Sequence, residues 1–162
     1  MRNPFVIEKI ISGGQTGADR AALDVAIALG IPHGGSVPKG RQTEDGPLPE
    51  CYSMTELTEG GYDARTEANI RDADATLIVS PGPLTGGSAL TERLAHKHRR
   101  PVLHVDLSTC SAEEAVVRVH EWLMDQRPGV LNVAGPRKST ARGTYGAVRN
   151  LLRGVLGGPD PG

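Results

Sequence analysis

The stretch "ISGGQTGADRAALDVAIALGIP", from Ile11 to Pro32, constrains the fold more than any other part of the chain. Val6 to Ile11 is short and β-branched and reads as a strand. Paired glycines then interrupt it, and from Ala18 to Leu29 the spacing of apolar residues becomes helical. Leu23, Ala26, Ile27 and Gly30 fall on one side, while Arg20 and Asp24 pair at i,i+4 on the other. Gly30 and Pro32 stop the helix in the expected order. The unit is therefore a strand, a glycine turn and a crossover helix. It either needs an unusually tight turn or lets something approach the backbone closely.

The alternation continues along the chain. His33 to Val37 is a short strand. Pro38 to Gly61 is polar, has no period and contains three prolines; loops of that length in a compact domain are functional or mobile. Asp63 is positioned to cap a helix over Ala64 to Asp72. Ala75 to Val79 is a buried strand, and Ser88 to Arg99 a helix with a basic last turn that suits its dipole. Pro101 to Asp106 is a strand, Ala112 to Gln126 a helix, Gly129 to Val133 the last strand, and Ala147 to Leu156 the last helix. This alternation implies parallel strands joined by right-handed crossovers. It predicts a single α/β domain over 1–156, a Rossmann-like three-layer sandwich with a five-stranded, mainly parallel sheet, and a disordered tail at 157–162. The expected strand order is 2-1-3-4-5. That order sets the strand ending at Ser12 beside the strand ending at Ser80, and ligands of open α/β sheets bind at such a switch point.

Composition narrows the function. Of 162 residues 21 are glycine, with one Phe and one Trp, so the core is aliphatic. The net charge of −1 gives no cause to expect a nucleic-acid or membrane partner, and no apolar run approaches the ~20 residues of a spanning helix. No signal peptide is evident at the start. Cys51 and Cys110 are far apart and form no CxxC, which favours a reduced, cytoplasmic protein over a disulfide between them.

Two glycine pairs, Gly13-Gly14 and Gly86-Gly87, stand at strand-to-helix junctions. Helix starts carry unpaired N–H groups and a partial positive charge, and glycine clears the way for an anion. Gln15, Thr16, Gly17 and Asp19 follow the first pair; Ser88 and Thr91 follow the second with hydroxyls. Tight turns and close helix packing are the competing explanation for the same glycines. Lys39, Gly40 and Arg41, in "PKGRQTEDG", are placed to reach an anion, and Glu44 or Asp45 to position a water, unless this loop is simply a solvated turn. Arg65, Thr66 and Asn69 share a helix face, as ligand groups or as a wet surface. Arg137 follows the last strand. GxGxxG, the GxxxxGK[ST] phosphate loop and the GxSxG elbow are all absent. The histidines have no ligand spacing, so no metal is expected.

Together, "IISGGQTGADRAALDVAIALGI", "PKGRQTEDGPLP", "YDARTEANIRDADATLIV", "LTGGSALTERLA", "RPVLHVDL" and "LNVAGPRKS" resemble the molybdenum-cofactor carrier family. That family is similar to the wider Rossmann-like group containing the lysine-decarboxylase-like (LOG-like) nucleotide phosphoribohydrolases. The resemblance implies a homo-oligomer, dimer or tetramer, and a phosphate-bearing small molecule at the glycine loops: molybdenum cofactor (molybdopterin) or a nucleotide. The phosphoribohydrolases carry PGGxGTxxE with a catalytic Glu. Aligned on Gly86-Gly87, this chain has Arg93 at the Glu position, Glu92 one residue short and Ala89 at the next glycine. One residue turns a helical side chain by about 100°. A carrier that breaks no bond is thus the first reading. A nucleoside 5'-monophosphate hydrolase using Glu44 or Asp45 is the alternative, and a nucleotide-sensing module ranks last.

Overall fold

The protein is described here by a computed structural model covering residues 5–157. Five parallel strands form the central sheet: β1 (Lys9–Ile11), β2 (His33–Gly34), β7 (Ala75–Ser80), β8 (Val102–Asp106) and β9 (Val130–Ala134). Between β2 and β7 lie the short strands β3 (Ser36–Val37), β4 (Gln42–Thr43), β5 (Gly46–Pro47) and β6 (Thr55–Glu56). The helices are α1 (Ala18–Leu29), α2 (Tyr62–Asp72), α3 (Gly86–Lys97), α4 (Ala112–Gln126) and α5 (Thr144–Leu156).

Alternation along the strands sorts the layers. Leu77, Val79, Leu131 and Val133 join one buried cluster with Ala22 and Val25 of α1, Val119 and Leu123 of α4, and Val148 and Leu152 of α5. Helices α2 and α3 touch each other and the sheet, while Ile70, Ile78 and Ala95 lie outside that cluster although fully buried. Every residue of β7 is buried, as in a strand covered on both faces. The expected α/β sandwich is present.

The strand order is not the expected one. It runs β2-β1-β9-β7-β8, so the last strand stands between the strand ending near Ser12 and the strand ending at Ser80. In chain order this is 2-1-5-3-4. Counting β9 first turns it into 3-2-1-4-5, the order of the first five strands of the open Rossmann sheet. Chain-order reasoning missed this because it adds each new strand to an edge.

Local boundaries show their causes. Helices α1 and α4 match the expected spans. The strand expected over His33 to Val37 is two strands in two sheets, because the chain turns at Gly35 (φ 128), packed on the Ser12 carbonyl. Asp63 is not the cap of α2: the cap is Gly61, and Asp63 lies inside the first turn. Helix α3 begins on Gly86 rather than after the pair, with Thr85 as its cap. Helix α5 begins at Thr144, earlier than expected, with Gly143 as its cap. The aperiodic 38–61 segment folds onto Arg41, whose guanidinium donates to the carbonyls of Leu48, Pro49 and Tyr52 at 3.2, 2.8 and 2.8 Å. Both cysteines are free thiols. Apart from Gly157, the expected tail lies outside the described residues.

Candidate functional site

The C-terminal ends of β1 and β9 and the first turns of α2 and α3 enclose a cleft of about 300 Å³. Gly13, Gln15 and Asp19 line it from the first glycine turn; Arg65, Thr66 and Asn69 from α2; Gly86, Gly87, Ser88 and Thr91 from α3; and Arg137 from the loop after β9. Gly13 of the first pair and both glycines of the second thus reach one space, even though β9 separates their strands.

The first turn is filled by the protein itself. A Cβ on Gly13 would strike the Arg65 guanidinium at 2.3 Å, and one on Gly14 the Leu48 side chain at 2.9 Å. Gly17, at φ 79, leaves only 2.4 Å between such a Cβ and the Pro136 carbonyl. Three N–H groups around the start of α1 are satisfied internally as well. Ala18 N–H donates to the Pro136 carbonyl at 3.2 Å, Thr16 N–H to Gln15 Oε1 at 3.0 Å, and Gln15 N–H to Asp19 Oδ2 at 3.4 Å. The Asp19 carboxylate holds the place at this helix end that an outside anion would take. Close packing explains Gly14 and Gly17, and neither lines the cleft.

Arg65 is the hinge of the electrostatics. Its Nη1 donates to the Gly13 carbonyl at 3.0 Å and meets Asp19 Oδ2 at 3.5 Å. Its Nε is buried with no hydrogen-bond partner among the described residues. A buried donor without an acceptor costs about 1–3 kcal/mol. Burial pushes the Asp19 carboxyl up to about 6, against the pull of Arg65, the Gln15 N–H and Arg20.

The second turn is open. A Cβ at Gly86 or Gly87 would meet nothing within 4 Å. Ser88 and Ala89 donate back to the Thr85 carbonyl, whereas the N–H groups of Gly86 and Gly87 have no acceptor among the described residues. Thr91 spends its hydroxyl on the Gly87 carbonyl at 2.8 Å, and Ser88 is buried at the same end. The free positive end of a helix therefore faces the same cleft as Arg65.

The family model for the circularly permutated YpsA SLOG family matches residues 10–156. The chain belongs to that family. A strand order that becomes 3-2-1-4-5 once β9 is moved to the front is the geometric counterpart of the permutation in the family's description. A solved structure named "Putative molybdenum carrier protein", from Syntrophus aciditrophicus SB, is 50% identical over 94% of this chain and 96% of its own, with a TM-score of 0.92. No curated protein matches.

The other expected residues of this SLOG-family chain lie outside the cleft or line it with their polar groups committed within the chain. Lys39, Gly40 and Arg41 do not line the cleft: Arg41 staples its own loop, and the Gly40 N–H donates to Glu56. Thr16 gives its hydroxyl to Glu44 and accepts from Lys138 N–H at 3.1 Å. Glu44 also accepts from the Ser139 N–H at 3.1 Å and from the Ser139 hydroxyl. Partial burial acts to raise the Glu44 carboxyl, but the bonds from Ser139 and Thr16 and the charge of Arg137 outweigh it and hold the group below the usual carboxylate range. Asp45 pairs with Lys138 Nζ at 2.7 Å. Glu44 and Asp45, the proposed water-positioning carboxylates, thus tie loops together outside the cleft lining. Asn69 lines the cleft, yet its amide is committed to Ser36: Oδ1 accepts from Ser36 N–H at 2.7 Å and Nδ2 donates to the carbonyl at 3.1 Å. Thr66 bonds back to the Tyr62 carbonyl at 2.9 Å.

Sequence reasoning missed Tyr62, Asn132 and Gly135. Asn132 Nδ2 donates to Thr76 Oγ1 at 3.3 Å on the cleft floor, and a polar residue inside the apolar "GVLNV" was the available signal. Gly135 lets the chain pass between the Val79 carbonyl, 2.3 Å from a would-be Cβ, and Ala18.

Proposed function

We propose that the protein binds a phosphate-bearing small molecule, the molybdenum cofactor or a nucleotide, in this cleft and serves as a carrier. One observation carries the reading: Arg65, whose buried Nε has no partner among the described residues, lines the same cleft as Gly86 and Gly87, whose amides have no acceptor there. An oxyanion accepts from both kinds of donor, and charge-assisted bonds of this type are the strong ones. The donor set fits the phosphate end of either ligand. Arg65, Gly86, Gly87 and Ser88 hold that end, with Arg137 at the rim. Neither Cys51 nor Cys110 lines the cleft, so a molybdenum centre, if that is the cargo, is carried without a thiolate from this chain. The name of the Syntrophus protein supports the carrier role at 50% identity.

Bond cleavage has less support. The carboxylates lining the cleft are Asp19 and Asp63, and Asp19 is engaged by Arg65 and Gln15. The test is calorimetric titration with inorganic phosphate and GMP. Both bind, GMP is recovered intact, and Arg65→Ala weakens each by roughly 30-fold, about 2 kcal/mol for a lost charged hydrogen bond. Equal binding by Arg65→Ala, or no binding by the wild type, overturns the reading. Release of free guanine replaces the carrier with a hydrolase.

A further inference from the structure

The chain has three tyrosines, and two are spent on structure. Tyr52 donates its hydroxyl to Asp24 Oδ1 at 2.6 Å, and Tyr145 donates to the other oxygen of the same carboxylate. Tyr62 differs. It is the first residue of α2, lines the cleft and remains 39% exposed. Its hydroxyl has no hydrogen bond within the described chain. The ring is nevertheless held in place, because the Arg65 guanidinium carbon sits 5.3 Å from its centroid, within range of a cation–π contact. Arg65 in turn is fixed to the Gly13 carbonyl and Asp19.

The protein thus maintains an ordered aromatic surface next to its partnerless guanidinium donor. The cleft, at about 300 Å³, is at the lower end of sites that enclose drug-sized ligands, and a five-atom oxyanion leaves most of it empty.

We infer that Tyr62 is a specificity-determining stacking platform that reads the planar heterocycle of the proposed ligand and so favours it over a bare oxyanion such as phosphate or molybdate. This rests on the anion-site reading above and deepens it. The phosphate is held by Arg65 and the α3 amides, and the ring is selected by Tyr62.

The experiment compares GMP with ribose 5-phosphate, which has the phosphate and sugar but no ring, by calorimetry on the whole chain. Wild-type protein binds GMP at least tenfold more tightly, in keeping with base–aromatic stacking, and the GMP absorbance band loses intensity on binding. Tyr62→Leu, which keeps apolar bulk over Arg65, brings the ratio below threefold and abolishes the absorbance change. Tyr62→Phe restores both. A wild-type ratio near one with both probes bound, or a ratio that survives Tyr62→Leu, overturns the platform and leaves the anion site standing. Absence of binding by GMP, ribose 5-phosphate and inorganic phosphate alike overturns both.

Discussion

The two glycine turns look alike in sequence and differ in the folded molecule. Around Gly13, Gly14 and Gly17 the space is filled by Arg65, Leu48 and the Pro136 carbonyl, and the N–H groups of Gln15, Thr16 and Ala18 find acceptors inside the chain. A Cβ at Gly86 or Gly87 would meet nothing within 4 Å, and the amides of these two residues have no acceptor among the described residues. The first turn uses glycine for packing; the second uses it for access. The closed turn also serves the open one, since the absence of a side chain at Gly13 is what seats Arg65 at the cleft wall.

Substitutions at the two turns separate these uses. The largest effect falls on the closed turn. Gly17→Val forces a β-branched residue to φ 79 against a backbone carbonyl 2.4 Å away, and urea unfolding shows a loss of roughly 3 kcal/mol or more. A Gly17→Val protein as stable as wild type breaks the comparison. In the open turn, Gly87→Ala leaves stability within about 1 kcal/mol of wild type, because alanine suits a helix better than glycine. The methyl group nevertheless crowds the free amide, and phosphate affinity measured by calorimetry falls about tenfold, near 1.4 kcal/mol.

A pH titration sharpens the role of Asp19. With its carboxyl raised to about 6 from 3.8, the native state keeps a proton that the unfolded chain has already lost between those values. Unfolding free energy therefore declines as pH rises through that window, by an amount on the order of 2–3 kcal/mol, and Asp19→Asn flattens the slope. Sulfate, whose charge is constant over the range, reads out the site directly. No histidine lines the cleft, and the other carboxylate there is the exposed Asp63. Protonating Asp19 removes a negative charge and frees Arg65, so sulfate binds about fivefold more tightly at pH 5 than at pH 7.5, close to 1 kcal/mol. Asp19→Asn removes that dependence.

The smallest effect belongs to Glu44, which joins the 38–61 segment to the loop after β9. Its carboxyl is held below its ordinary value, so its contribution is present above about pH 4.5 and lost as pH falls through the lowered folded value. Glu44→Gln costs about 1 kcal/mol at neutral pH, seen in urea unfolding and in faster amide exchange over 38–61.

Legibility in the sequence followed locality. Helix α1 was readable from Ile11 to Pro32 because its periodicity, its αL cap at Gly30 and the breaker Pro32 are all local signals. The face shared by Arg65, Thr66 and Asn69 was readable for the same reason, and it does line the cleft. What side chains do across the fold was not readable. Arg41 and Asn69 have the look of ligand groups, yet carbonyls of its own loop absorb Arg41 and the distant Ser36 backbone absorbs Asn69. Nothing near Gly13 in sequence announces Arg65, 52 positions later. The order of strands was hidden because β9 pairs with β1 and β7 across most of the chain.

That central placement of β9 bears on synthesis. Until Val130 to Ala134 leaves the ribosome, β2-β1 and β7-β8 are two ribbons with no strand between them. A nascent chain stopped before Val130 has two unpaired sheet edges and no floor beneath the cleft. The protein is therefore committed to folding late, almost as a whole, and a release-and-refold assay on chains of increasing length gains protease resistance only when the last strand and α5 are both present.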